Sequence, residues 1–169
     1  MKIMKCIKNI CMSEAIKSPC NNKHSAIITK GRTKIICKGY NTNKRSSYLN
    51  EFVCCQHAEM AVATKLYNQI IRKKQNKFTR NKINKINLSK YVVWVCRISN
   101  DENLKKIGTF RNSEPCIRCC DGLKRLGFRK LRYSNDNGNF INIDLRHFKP
   151  THISRSQLET TQYSKLIKN

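Results

Sequence analysis

The segment Tyr91 to Ile98 (YVVWVCRI) constrains the fold more than any other part of the chain. It is β-branched, aromatic and almost free of charge, the composition of a strand covered on both faces. Such a strand belongs at the centre of an α/β sheet, and the flanking pattern supplies the other elements. Ile3, Ile7, Ile10 and Cys11 recur at helical spacing with lysines between them, which predicts an amphipathic helix over 3–17, ended by Pro19 and Asn21-Asn22. Ser25 to Thr29 and Lys34 to Lys38 flank a connection containing Gly31 and read as a β-hairpin. A loop is expected from Gly39 to Val53. His57 to Ile71 then places Met60, Ala63, Leu66, Tyr67 and Ile70 on one apolar helix face. Pro115 opens a second such helix, with Cys116, Cys119, Cys120 and Leu123 on one side and Gly127 ending it. Phe128 to Tyr133 and Asn139 to Ile143 flank Asn137-Gly138, a preferred pair for a type I′ turn, so these strands are expected to be antiparallel neighbours. Ser156 and Glu159 have capping-box spacing and predict a closing helix at about 155–168. No internal repeat is present, and 169 residues fit a single domain over 1–169.

Charge narrows the choice of partner. Thirty-five Lys and Arg against ten Asp and Glu give +25, which points to an anionic partner. The same excess accompanies heavy use of Lys, Asn and Ile, as an A/T-rich coding sequence would produce, so composition alone leaves both explanations open. The largest shift is a basic insertion at about 72–90. It reads either as a solvated segment or as a phosphate-tracking surface of Lys73, Lys74, Lys77, Arg80, Lys82 and Lys85. No stretch approaches the roughly 20 apolar residues of a membrane helix, and Lys5 and Lys8 interrupt the N-terminal run that a secretory signal requires. A cytoplasmic protein with no membrane partner is the expectation. The ten cysteines are then reduced thiols or ligands, because disulfide scaffolds belong to small secreted chains.

Two segments carry chemistry: CQHAEMAVA at 55–63 and SEPCIRCC at 113–120. Each is weak alone, since HxE and CxxC both arise by chance in such a chain. Together they provide three zinc-type ligands, His57, Cys116 and Cys119, with the carboxylate of Glu59 two residues from one of them. Both segments are predicted at helix N-termini, where unpaired N–H groups and the positive dipole end favour thiolate over thiol. Three protein ligands leave one position of a tetrahedral Zn²⁺ open, the mark of a catalytic site. Glu59 is then placed to move the protons of a water without being a ligand.

These residues resemble the cytidine and deoxycytidylate deaminase superfamily. SPCNNKHSAIITKGRTKIICKGYNTN followed by HAEMAVA, and later PCIRCCDGLKRLGFRKLRYS, are similar to the hairpin, zinc helices and following strand of its deoxycytidylate-type and tRNA-adenosine-type members. The resemblance covers roughly residues 3–144, the basic insertion apart. It implies a three-layer α/β/α fold with a central mixed five-stranded sheet, Zn²⁺ on His57, Cys116 and Cys119, and Glu59 as proton shuttle. Asn41 matches the residue that contacts the sugar, its alternative being a residue that turns the chain after a strand. Ala58 would lie against the base, and the Ser113-Glu114 backbone would hold the leaving amine. Two departures stand out. The gap between Glu59 and Pro115 exceeds that of most members, and the antiparallel final strands contrast with the parallel pair usual in the deoxycytidylate and tRNA branches.

The expected function is zinc-dependent hydrolytic deamination of a cytosine-type base in a nucleotide such as dCMP or CMP. The alternatives are a nucleic-acid-editing deaminase that meets RNA or single-stranded DNA through its basic surface, and a non-catalytic zinc-stabilised module. A homo-oligomer is compatible with each. A CxxC redox protein is disfavoured, because it leaves His57-Ala58-Glu59 unexplained.

Overall fold

The computed structural model describes residues 2–31, 34–44, 46–48, 51–53, 55–75, 87–99, 109–155 and 158. In chain order the elements are α1 (Lys2–Ile16), β1 (Lys23–Lys30), β2 (Lys34–Tyr40), β3 (Ser46–Tyr48), β4 (Glu51–Val53) and α2 (Ala58–Gln75). They continue with β5 (Tyr91–Ile98), β6 (Phe110–Arg111), α3 (Ile117–Arg125), β7 (Lys130–Ser134) and β8 (Phe140–Asp144).

The main sheet runs β2-β1-β5-β7-β8, and the apolar strand β5 lies at its centre. The β5–β7 pair is parallel and the other neighbours are antiparallel, so the sheet is mixed. One strand more than the expected five is present, because the two-residue β6 pairs with Arg97 and Ile98 of β5. Strand alternation divides the core into two layers. Ala26, Ile28, Val93, Val95, Leu131 and Tyr133 pack with Val62, Ala63 and Leu66 of α2 and with Leu123 of α3. Ile27, Val92, Trp94, Cys96 and Ile98 turn the other way, onto Ile7, Cys11 and Ala15 of α1. Three layers result, as expected, and both faces of β5 are buried.

Several boundaries differ from the sequence reading. The β3–β4 hairpin lies within the expected loop; three-residue strands are too short to leave a periodic signal. The helix expected to end at Ile71 continues as α2 through Gln75, so the basic insertion begins in a helix. The β7–β8 pair is antiparallel as expected, but its turn is of another type. Gly138 N–H donates to Asn135 O at 3.0 Å and Asn135 N–H to Asn139 O at 2.9 Å. Asp136 and Asn137 are therefore the central turn residues, and Gly138, at φ 71°, closes the loop in the left-handed region. Pro115 precedes the N-cap Cys116 rather than entering the first turn of α3. Residues 76–86 of the basic insertion and the predicted closing helix, Arg155 and Leu158 apart, lie outside the described residues. Among the described residues no helix is long and apolar enough to cross a membrane.

Candidate functional site

Sheet direction brings the two motifs together. β2 and β5 are each antiparallel to β1, and β7 is parallel to β5, so β2, β5 and β7 all point the same way. The helices α2 and α3 follow β2 and β5 and begin at that same edge, the usual position of a ligand crevice in such sheets. Thr42 and Gln56 exchange backbone hydrogen bonds at 3.0 Å. This bridge closes the excursion that contains β3 and β4 and returns the chain to His57, one residue before α2. Cys116 is the N-cap of α3 in extended conformation.

His57, Cys116 and Cys119 offer ligand atoms that all lie within 4.8 Å of one another, and they could hold a metal ion. The imidazole turns Nδ1 toward both sulfurs, at 3.2 Å from Cys119 Sγ and 3.6 Å from Cys116 Sγ. Both thiols are buried. The Cys119 thiol bonded to Cys116, together with His57 and the Cys119 backbone N–H, outweighs burial and lowers Cys116 to about 3. Burial alone would lower His57, but hydrogen bonds to Cys116 and Cys55 and the nearby Glu59 raise it to about 11. Cys119 is raised well above an ordinary thiol, first by its bond to Cys116 and then by burial. A thiolate is thus stabilised at the start of α3. One imidazole nitrogen and two sulfurs suit a borderline-soft metal ion. Cys120 stands apart: its Sγ lies 3.9 Å from Pro115 O, and burial pushes it up to about 12.

Glu59 occupies the first turn of α2 and is only 5% exposed. Burial raises its pKa, as does the charge of Cys116, against the pull of His57. The ligand triad meets a cleft of about 870 Å³ at His57 and Cys116, and Ala58, Glu59, Asn41 and Glu114 also line it. That volume suits a small organic ligand.

No family model and no curated protein matches the chain. Among solved structures, it is similar to the crystal structure of dCMP deaminase from the cyanophage S-TIM5 in apo form. The two share 17% identity over 79% of this chain and 83% of that one, with a TM-score of 0.48.

Of the residues singled out in the sequence, His57, Ala58, Glu59, Glu114, Cys116 and Asn41 line the cleft, and Cys119 joins it through the triad. Asn41 also holds the chain together. Its Oδ1 accepts from His24 N–H at 2.8 Å and Ser18 Oγ at 2.7 Å, and its Nδ2 donates to Asn22 O at 2.8 Å. Ser113 lies behind the site and is not among the lining residues. Its N–H donates to Ser134 O at 2.9 Å and its Oγ to Val95 O at 3.0 Å, so it ties the loop before α3 to β5 and β7.

Other lining residues were not legible as such. Asn22, His24, Arg97, His152 and Arg155 reach the cleft from strand ends and from the segment after β8. His24, half-buried, is lowered to about 3 by burial and then by Arg97. The one available signal was Arg97, the lone charge in the apolar run of β5. His152 contributes structurally as well, because its carbonyl accepts the Ile117 N–H at 3.0 Å and satisfies a free donor of α3.

Proposed function

We propose that the protein is a zinc-dependent hydrolytic deaminase acting on a cytosine-type base in a nucleotide. One observation carries this reading: the convergence of His57 Nδ1 and two buried cysteine sulfurs beside the buried carboxylate of Glu59, at one cleft. His57, Cys116 and Cys119 would hold the metal, which when bound supplies Lewis-acid activation of a water. Glu59 accepts a proton from that water and returns protons to the ring nitrogen and to the departing nitrogen. Water oxygen bonds to the amine-bearing carbon, the C–N bond breaks, and ammonia leaves a carbonyl behind. The raised pKa of Glu59 suits a group that must both accept and donate. Ala58, without a bulky side chain, leaves room for a flat base, and Glu114 lies at the cleft where the amine departs. The +25 charge favours a second reading, in which the base lies within RNA or single-stranded DNA.

The test is mass-spectrometric screening of the zinc-loaded protein against nucleosides, nucleotides and short oligonucleotides, reading the change from amine to carbonyl. Glu59→Ala is expected to keep zinc and fold while losing at least about 100-fold in turnover. A variant within a few-fold of the wild type on any substrate would refute the mechanism.

A further inference from the structure

The chemistry at Glu59 makes no use of one cation in the cleft. Arg97, near the end of β5, stands directly opposite His24 in the β1–β5 ladder, and both residues line the cleft. A guanidinium carries five N–H donors and no acceptor, so it calls for oxygen partners. Its Nη2 donates to Asn22 Oδ1 at 2.8 Å. Its Nε is buried and has no hydrogen-bond partner. Among the described residues no carboxylate forms an ion pair with it. Buried donors are rarely left in this state unless a ligand or ion completes them.

The guanidinium is also held in place. Asn22, which anchors it, is fixed through its carbonyl by Asn41 Nδ2, and Asn41 Oδ1 accepts the His24 backbone N–H. Arg97 N–H donates to Ser134 Oγ at 3.3 Å, which ties its backbone to β7. A planar cation so positioned, with an open donor and no counter-charge, matches the oxygens of a phosphate. Arg155 lines the same cleft and adds to its positive field.

We infer that Arg97 is the phosphate-reading residue of this cleft, so that the substrate carries a phosphate ester and is not a free nucleoside. The inference rests on the deaminase reading for the identity of the base but not for the anion. The phosphate belongs either to a mononucleotide or to the backbone of a polynucleotide, and both present the same oxygens to Arg97.

Calorimetric binding to zinc-loaded protein separates the cases, with deoxycytidine, dCMP, deoxyadenosine, dAMP and a short single strand containing one cytosine as ligands. Wild type is expected to bind at least one phosphate-bearing ligand about 10- to 100-fold more tightly than the matching nucleoside. Arg97→Gln is expected to erase that preference while leaving nucleoside affinity unchanged. On the wild type alone, inorganic phosphate is expected to compete with the preferred ligand and not with the nucleoside, a readout that needs no variant to fold. A preference for dCMP or dAMP assigns the phosphate to a mononucleotide, and a preference confined to the oligonucleotide assigns it to a phosphodiester. The assignment is overturned if no phosphate-bearing ligand is preferred, if the preference survives in Arg97→Gln, if nucleoside affinity falls equally, or if inorganic phosphate does not compete. Arg97-dependent phosphate binding without conversion of any ligand would overturn the deaminase reading alone. Equal conversion of nucleoside and nucleotide, without such a preference, would overturn only the role of Arg97.

Discussion

At the scale of single residues, the two neighbouring cysteines of SEPCIRCC have different fates because one residue of helix rotation separates them. Cys119 Sγ meets His57 Nδ1, whereas Cys120 Sγ turns toward Pro115 O. Cys119→Ser is therefore expected to weaken zinc binding by more than about 100-fold, beyond what a change outside the ligand set produces. Cys120→Ser is expected to keep full occupancy. Metal analysis after dialysis against a chelator measures both, and tight zinc in the Cys119 variant would remove it from the ligand set. The same separation of roles applies to Asn41, whose oxygen is filled by His24 N–H and Ser18 Oγ. Any contact it makes to a ligand falls to the remaining amide hydrogen.

At the scale of elements, the ends of α3 and the docking of α1 are open to test. Phe128 N–H donates to Leu123 O at 3.0 Å and Gly127 N–H to Lys124 O at 2.9 Å, the paired bonds of a Schellman motif. Leu123 and Phe128 meet in the core beneath it. Gly127 has φ 91°, so Gly127→Ala is expected to destabilise the protein by about 1–2 kcal/mol. Thermal melting should show a fall of about 2–8 °C, and an unchanged melt would contradict the strain argument. On α1, the buried carboxylate of Glu14 pairs with Lys17 in its own helix and Lys38 in β2, each at 2.7 Å. Burial raises its pKa, but the two lysines more than offset this and lower it overall. A lowered carboxylate stabilises the fold above the ordinary glutamate value of about 4.3, and the benefit disappears as pH falls through the lowered value. Both lysines are half-exposed, so Glu14→Gln is expected to cost only about 1 kcal/mol at neutral pH. Urea melts should show this difference at pH 7 and its loss under acid conditions, whereas a pH-independent difference would point to packing alone.

At the scale of the whole molecule, +25 spread over 169 residues gives general affinity for polyanions. A variant with Gln at Lys73, Lys74, Lys77, Arg80, Lys82 and Lys85 asks whether the insertion concentrates that affinity. If those cations track a single strand, the slope of log affinity against log salt should flatten by about 4 units. We expect a much smaller change and unaltered nucleotide turnover, because the Lys, Asn and Ile bias runs through the chain. Loss of polynucleotide deamination in this variant, with nucleotide turnover absent from both proteins, would establish the editing reading.

Periodicity and local chemistry were sufficient to place the central strand, both cysteine-bearing and histidine-bearing helices and the antiparallel final hairpin, because each depends on contacts a few residues apart. The type and spacing of His57, Glu59, Cys116 and Cys119 likewise identified a metal-ligand set before any geometry was known. Their convergence could not be read locally, since it depends on β2 and β5 pointing the same way on either side of β1. The meeting of His24 with Arg97 is of the same kind: their positions are far apart in the chain and share a ladder rung only after the sheet assembles. The open donor on Arg97 and the position of Ser113 behind the cleft were decided at that stage too, because hydrogen-bond partners from distant strands leave no trace in the spacing of residues.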